Sequence, residues 1–393
     1  MNVRTLLKCG IVELPTHNLH KKERAMNHHT LYLHLVQHLR PLLRPATRPQ
    51  VHNLALLTLG LAESSNCHLA SIATVLPIEG QRENLIQRVR RSLKDANLMR
   101  RRAYGGVIRH VFAHWTAQEI ALVMDRTDLE DRLSILMLAV AYGQRALPLA
   151  WRVLDFGGTS AELQMELLNQ VTEWIPAGPR VTLFGDAEFR AVEVQRWCQG
   201  HHWHWHLGLK SDILFREAGA AWQPLKAWQL GPGERQYRQN VYLTAEHDFG
   251  PVNLIADWLT DKDAPRYTVM DQPANRQAWR RGRKRQWIEN MFRDWKSYGF
   301  DLEDSDLDDY HRLDGLLLVM SLADLWLIHL GRWLTDTGQR PLLEAKHKQD
   351  YSLFRLGRDY LRRAQVMQWE VPIGFTVTHP CSHPAKHSLP GVN

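Results

Sequence analysis

The sequence has little cysteine and no apolar run long enough to cross a bilayer. Four cysteines spread over 393 residues include no Cys-x-x-Cys pair, which argues against a disulfide framework and fits a reducing cytoplasm. The most apolar stretch, residues 316–330, spans only about fifteen positions and contains Asp324 and His329, so a buried core helix is the better interpretation. Glu13 soon interrupts the apolar start, unlike a signal peptide. We expect a cytoplasmic protein without a membrane partner.

Length and composition exclude a disordered chain. The 393 residues exceed one compact core, and 44% of them are apolar against 23% charged. The net charge of +7 is unevenly distributed, because residues 1–110 carry 17 Lys and Arg against 6 Asp and Glu. A basic N-terminal region favours a polyanion partner such as nucleic acid, although a merely solvated basic face stays an alternative.

Residues 1–110 are predicted to form a helical region that binds DNA. Apolar periodicity predicts helices over 51–62, 69–77 and 81–95, with Pro77 and Gly80 breaking the chain before the last one. That last helix carries its cations off the apolar stripe, as in a helix-turn-helix: Arg82, Arg88, Arg90, Arg91 and Lys94. A basic amphipathic helix in a small bundle is the alternative interpretation.

The middle of the chain is predicted to be an α/β domain over residues 115–335. Three strand patterns over 119–156 precede alternating helices and strands up to residue 210, which is typical of a sheet with crossover connections. Residues 210–275 read as an inserted β-rich subdomain, and the chain is helical from 280 onward. Residues 336–393 are expected to be a C-terminal helix and a tail that is poorly ordered after about 370.

Three acidic residues are candidates for a metal site. Asp125 and Asp186 end two predicted strands, where α/β folds place their sites, and Glu289 lies on a later helix that can face the same edge. Carboxylates without histidine or cysteine suit Mg²⁺ or Mn²⁺. Two such ions promote in-line displacement at phosphorus. The alternative is that these acids merely cap turns.

The sequence around Glu289 favours a phosphate-binding surface. Five of the six residues 280–285 are basic, among them Arg281 and Arg285. Arg285 precedes Glu289 by four positions and Lys296 follows it by seven, so the three share one helical face. Such cations can hold phosphates beside a metal-ligating acid, whereas the alternative is a run of surface ion pairs.

Several separated segments give the chain a family resemblance. Arg285-QWI-Glu289-NMFRDW-Lys296 reproduces Arg-x3-Glu-x6-Lys, and the chain also contains Asp125-RT-Asp128, RALPLAW, GDAEF and LFRLGRDYL in order. Over roughly residues 55–365 the chain resembles bacterial insertion-sequence transposases of the DDE type, which carry a Tyr-x2-Arg-x3-Glu-x6-Lys signature.

The resemblance implies a ribonuclease-H-like catalytic domain with the inserted β-rich subdomain, flanked by helical regions. It also implies that Asp125, Asp186 and Glu289 are catalytic residues holding two Mg²⁺ or Mn²⁺ ions, and that Arg285 and Lys296 contact the transposon ends. The implied partners are double-stranded DNA, as terminal inverted repeats and target DNA, and a second copy of the chain in a synaptic homodimer. A cytoplasmic, nucleoid-associated location follows.

The chain departs from the family pattern at two positions. Gly282 stands where the signature tyrosine is expected, leaving Trp279 or Trp287 as possible sources of an aromatic ring. Glu188 follows the second acid closely, where it would either perturb metal binding or point into solvent. Two other functions stay open, an inactive DNA-binding remnant of a transposase and a stand-alone nuclease of the same fold.

Overall fold

The computed structural model describes residues 27–379 apart from 65, 306, 308 and 346. Four helices open this part of the chain: α1 (His28–Leu42), α2 (Arg48–Glu63), α3 (Leu69–Thr74) and α4 (Arg82–Ala113). The last is far longer than the predicted 81–95 helix. It packs against α1, α2 and α3 and against the long helix over residues 310–336.

The strands and helices then alternate as the sequence predicts. The elements are β1 (Glu119–Leu129), β2 (Leu133–Tyr142), β3 (Arg145–Asp155), α5 (Ala161–Thr172), β4 (Arg180–Gly185), α6 (Val192–Gly200) and β5 (His204–Leu209). Strands β1, β2 and β3 are antiparallel, whereas β1, β4 and β5 run parallel. Crossover helices α5 and α6 make these parallel pairings possible.

The β-rich segment extends this same sheet. Its strands are β6 (Leu214–Arg216), β7 (Gln223–Pro224), β8 (Arg235–Leu243), β9 (Phe249–Asp257) and β10 (Arg266–Met270). Among the described residues the sheet has ten strands in the order β3-β2-β1-β4-β5-β10-β9-β8-β6-β7. The protein is thus a mixed α/β fold with one large sheet and packed helices.

The remaining helices cover the sheet. They are α7 (Arg276–Gly282), α8 (Gln286–Arg293), α9 (Tyr310–Asp336) and α10 (Leu353–Met367). A 3₁₀ turn over Arg283–Arg285 joins α7 to α8, and a π turn over Asp294–Tyr298 follows α8. Helix α8 contacts β1, β2 and β3, which brings the segment around Glu289 over the sheet.

Helix α9 is the central core helix, as its apolar sequence predicts. By length and composition it is the one helix of the described chain that could cross a membrane, but 94% of its most apolar window is buried inside the protein. It packs against α2, α4, α10 and β3.

The expectation of a poorly ordered tail after residue 370 is wrong for residues 371–379. Phe375 and Val377 are buried in the main core. The hydroxyl of Tyr142 donates to the carbonyl of Thr378 at 2.6 Å, and His379 lies edge-on to Trp115. The segment forms no helix and no strand, so its position depends on side-chain packing that no local sequence pattern predicts.

Candidate active site on the sheet

Two of the three predicted acids lie side by side on neighbouring parallel strands. Strand β1 pairs with β4 up to Met124 opposite Gly185, where β4 ends, so Asp186 follows level with Asp125. The turn after β4 passes close over β5, since a Cβ added to Gly208 would lie 2.7 Å from the backbone nitrogen of Ala187. Glycine at 208 therefore permits the turn that carries Asp186.

The placement of Asp125 differs from the prediction in one respect. The sequence predicts it at the end of its strand, but β1 continues to Leu129. The extra residues remain paired with β2, because the hairpin between these strands reaches beyond the end of β4. Asp125 is thus inside β1, at the point where the parallel neighbour stops.

Electrostatics link Asp125 to both other acids. Burial raises the pKa of Asp125 to about 7, and the backbone N–H of Arg126 opposes this shift. The charges of Asp186 and Glu289 raise the pKa further, while Arg285 lowers it. The charges of Asp186, Glu289 and Arg285 therefore all act on Asp125.

Glu289 is bound to its own helix in this structure. Its Oε1 lies 2.9 Å from Nη1 of Arg285, the i, i+4 pair that the sequence predicts, and the Gln286 amide donates to its other oxygen. Across the described residues, no three His, Cys, Asp or Glu side chains are close enough together to hold a metal ion. Asp125 and Asp186 are neighbours, but Glu289 is paired with Arg285 and does not join them in a three-carboxylate cluster.

The two strand acids nevertheless suit a divalent cation. Within the described chain neither Asp125 nor Asp186 forms an ion pair with Arg or Lys. Each accepts a backbone N–H through Oδ1, from Arg126 at 2.9 Å and from Glu188 at 2.8 Å. Two half-buried carboxylates without a cationic partner are the hard oxygen ligands that Mg²⁺ and Mn²⁺ prefer.

The basic run before Glu289 points in more than one direction. Arg285 reaches the acids, but Arg281 lies 4.0 Å from Glu119, which also binds Lys284 at 2.7 Å. Glu119 begins β1, six positions before Asp125, a distance of roughly 20 Å along a strand. Arg281 therefore lies farther from Asp125 than expected for a basic segment that holds phosphates beside the acids.

Lys296 contacts the strand that carries Asp125. It lies in the π turn, and its Nζ donates to the carbonyl of Asp128 at 2.6 Å and lies 3.0 Å from a carboxylate oxygen of Glu303. These contacts hold Lys296 three residues beyond Asp125, on the edge of the candidate site.

The structure explains why position 282 is a glycine. A Cβ added at this position would lie 2.4 Å from Nε2 of His206 on β5. Burial lowers the pKa of His206 to about 3, so the imidazole is neutral, and its ring packs against Phe184. The imidazole occupies the space that any side chain at 282 would enter, so neither Trp279 nor Trp287 is needed to explain the glycine.

Glu188 neither points into solvent nor turns towards the acids. It forms an ion pair with Arg126 at 3.0 Å and accepts hydrogen bonds from the backbone and hydroxyl of Thr159. Neither Arg126 nor Thr159 was predicted as part of the site. The available signal was the opposite charge beside each strand acid, Arg126 after Asp125 and Glu188 near Asp186.

The predicted DNA-binding arginines of α4 lie far along the chain from these acids. Arg88 and Arg91 are exposed and line a cavity of about 510 Å³ with His52 and Asn53, and Arg88 donates to the Asn53 side chain at 3.2 Å. Arg90 is half-buried. Helix α3 has only six residues and α4 has 32, and a seven-residue connection separates them. The two helices therefore differ in length far more than the predicted helix-turn-helix implies.

The protein is thus an α/β protein in which two aspartates lie next to each other where the parallel strand β4 ends. The family model described as the transposase DDE domain matches residues 138–323, a range that includes Asp186 and Glu289 and begins after Asp125. This match supports the function of a transposase, an enzyme that cleaves and transfers DNA strands. Transposases of the DDE type generally use divalent metal ions.

Among solved structures, the chain is similar to the piggyBac transposase in a synaptic complex with hairpin DNA. The identity is 10% over 92% of this chain and 87% of that chain, with a TM-score of 0.39, which is too low to establish a common fold. No curated protein matches the sequence.

Proposed function

We propose that the protein is the transposase of a bacterial insertion sequence and that Asp125, Asp186 and Glu289 are its catalytic acids. The observation that carries this proposal is the adjacency of Asp125 and Asp186 on parallel strands, with Glu289 electrostatically coupled to Asp125. The match to the transposase DDE domain supports the assignment for the segment holding two of the three acids.

A ribonuclease-H-like catalytic domain over 115–335 is part of the proposal. The strand order β3-β2-β1-β4-β5, with three antiparallel strands followed by two parallel ones and helices between them, supports it. Strands β6–β10 lie between β5 and α7, which fits an insertion over about 210–275. On this proposal residues 1–110 form the DNA-binding region and residues 336–393 the C-terminal region.

The proposed cofactor is a pair of Mg²⁺ or Mn²⁺ ions held by the three acids. Such ions supply Lewis-acid activation of the attacking oxygen and stabilise the leaving oxygen at phosphorus. To bind such ions, this chain would need Asp125 to be ionised. Glu289 would also have to leave its ion pair with Arg285 and turn towards the two aspartates. Arg285, once released, is free to bind a DNA phosphate next to the reacting bond.

The proposed substrate is double-stranded DNA, as terminal inverted repeats and as target. Arg285, Lys296 and Arg281 would contact phosphates near the site. The exposed arginines of α4, Arg88 and Arg91, with Arg90 beside them, would hold DNA farther away. We propose that two copies pair in a synaptic homodimer, since two ends must be cut together, and that the enzyme acts on the cytoplasmic nucleoid.

An inactive remnant and a stand-alone nuclease are the alternatives. Both departures from the family pattern are accommodated, Gly282 by His206 and Glu188 by Arg126, so neither favours an inactive remnant. The basic α4 favours an enzyme that binds particular ends over a general nuclease.

The test separates DNA binding from cleavage. Asp125→Ala and Glu289→Ala should abolish nicking of DNA that carries the terminal repeats, while a mobility-shift assay shows end binding near the wild-type level. Arg88→Ala should show the reverse, with weaker binding and intact cleavage at saturating protein. Wild-type cleavage by both acid variants would refute the site.

A further inference from the structure

A network of side chains lies directly behind the two strand acids. Arg126 follows Asp125 on β1, so its side chain leaves the opposite face of the sheet. Its Nε lies 3.0 and 3.2 Å from the two carboxylate oxygens of Glu188. The side chains of Arg126 and Glu188 are only about a fifth exposed, at 21% and 22%, so water screens this pair less than a surface ion pair.

A third residue fixes Glu188 from the other side. Thr159 lies in the connection between β3 and α5 and donates to Oε1 of Glu188 twice, from its backbone nitrogen at 3.0 Å and its hydroxyl at 2.7 Å. The amide of Gln164 on α5 in turn donates to the Thr159 hydroxyl at 3.0 Å. The Glu188 carboxylate is thus held by donors from two separate segments.

The same residues also hold the acids through their backbone. The N–H of Arg126 donates to Asp125, and the N–H of Glu188 donates to Asp186. An ion pair between the Arg126 and Glu188 side chains therefore links the two backbone segments that orient the acids. Since two adjacent carboxylates repel each other, their separation needs such a constraint before a cation arrives.

We propose that Arg126, Glu188 and Thr159 form an acid clamp, a set of positioning residues that fixes the spacing of Asp125 and Asp186 for a divalent cation. Glu188 on this proposal is not itself a metal ligand, since its oxygens are occupied by Arg126 and Thr159. The inference rests on the proposed function, because it takes the two aspartates as the metal-holding acids.

Metal binding without DNA tests the clamp. Free Mn²⁺ is measured by electron paramagnetic resonance while the metal is titrated into the full chain. We expect Glu188→Gln and Arg126→Met each to weaken Mn²⁺ binding about tenfold, the lower end of the usual effect of outer-sphere changes. The double variant should be no weaker than Arg126→Met alone, because Arg126→Met already removes the pair with Glu188 together with a second ion pair between Arg126 and Asp128.

The matched control is Glu166→Ala. Glu166 is a glutamate on α5 that pairs loosely with Arg152 at 3.8 Å, far more exposed than Glu188. This variant should bind Mn²⁺ like the wild type. Circular dichroism confirms that each variant is folded. If Glu188→Gln or Arg126→Met fails to fold, Thr159→Val removes one hydroxyl donor and should weaken binding two- to fivefold, roughly the loss of one hydrogen bond.

Each other outcome overturns the clamp in a recognisable way. Weaker Mn²⁺ binding in Glu188→Gln but not in Arg126→Met would make Glu188 a metal ligand. Unchanged binding in both, or in Thr159→Val, would leave the network a purely structural contact. Equal Mn²⁺ binding by the wild type and Asp186→Ala would instead refute the metal site, and the proposed function would fail together with the clamp.

Discussion

Replacing Asp125 by asparagine should stabilise the metal-free protein while destroying its activity. Asparagine has nearly the same shape and keeps an oxygen that accepts the Arg126 N–H at 2.9 Å. It lacks the negative charge that the half-buried site disfavours. A residue retained for chemistry at the expense of stability is expected at a functional site.

The magnitude follows from the pKa of Asp125. Burial is the largest cause of its rise from the usual 3.8 to about 7, to which Asp186 and Glu289 add. Because each pKa unit corresponds to about 1.4 kcal/mol, ionising Asp125 in the folded state costs at most about 4 kcal/mol. Between pH 4 and pH 7 the folded protein binds more protons than the unfolded chain, so the free energy of unfolding falls as the pH rises and levels off above pH 7.

Urea unfolding in EDTA at pH 5 and at pH 8 measures this effect. Asp125→Asn should raise the free energy of unfolding at pH 8 by roughly 2 kcal/mol, about half of that upper limit because nearby water and relaxation reduce it. At pH 5 the gain should be less than half of this, about 0.7 kcal/mol, because pH 5 is only about one unit above the pKa of 3.8 that the carboxyl has in the unfolded chain. Added Mg²⁺ should stabilise the wild type more than the variant.

Asp131→Asn is the matched control, since it removes one exposed negative charge from the turn between β1 and β2. It should leave the difference between pH 5 and pH 8 as in the wild type. If Asp125→Asn gives no pH-dependent gain over this control, Asp125 has an ordinary pKa in the folded protein, and the rise caused by burial and by the neighbouring acids is refuted.

Three further changes test other parts of the structure. Gly282→Tyr should lower both the free energy of unfolding and the cleavage rate, because the new side chain would clash with His206. Adding His206→Ala should restore part of the stability and part of the cleavage. A Gly282→Tyr variant with wild-type stability and cleavage would contradict the clash. Lys296→Ala should weaken DNA binding and lower the salt slope by about one in a filter-binding titration, and an unchanged slope would remove it from the phosphate contacts. Phe375→Ala should cost about 3 kcal/mol in urea unfolding, because its ring is fully buried, whereas a loss below about 1 kcal/mol would mean that residues 371–379 do not belong to the core.

The alternating elements from β1 to β5 could be predicted because their signals are local. Period-two and period-3.6 patterns in the segments over 119–209 fall in the observed strands and helices. The position of Asp186 followed from the end of its apolar strand. The exact position of Asp125 did not, because the length of β1 depends on its pairing with β2.

Helix α4 is longer than its local pattern predicts. The predicted helix stops at residue 95, whereas α4 runs on to Ala113 and contains Gly105 and Gly106. A Cβ at Gly106 would lie 2.1 Å from the carbonyl oxygen of Leu42, and one at Gly105 would lie 2.6 Å from Trp174. The glycines allow other segments to approach the helix, a tertiary requirement that outweighs the propensity cost of about 1 kcal/mol each.

The sequence proposes the residues of the candidate site but not the contacts between them. The Arg285–Glu289 pair follows from helical spacing. The contacts of Gly282 with His206 and of Arg126 with Glu188 join residues more than sixty positions apart, and no pattern in one sequence fixes such pairs. They emerge only when the sheet and α7 are assembled.

Strand cleavage tests the central claim most directly. DNA containing the sequences that flank this gene is incubated with the wild type or with Asp186→Ala, in Mg²⁺ or in EDTA, and the cut positions are mapped. We predict cuts at defined ends that require Mg²⁺ and disappear in the variant. Equal cutting by the variant, or cutting in EDTA, would contradict a metal-dependent transposase with Asp186 at its centre.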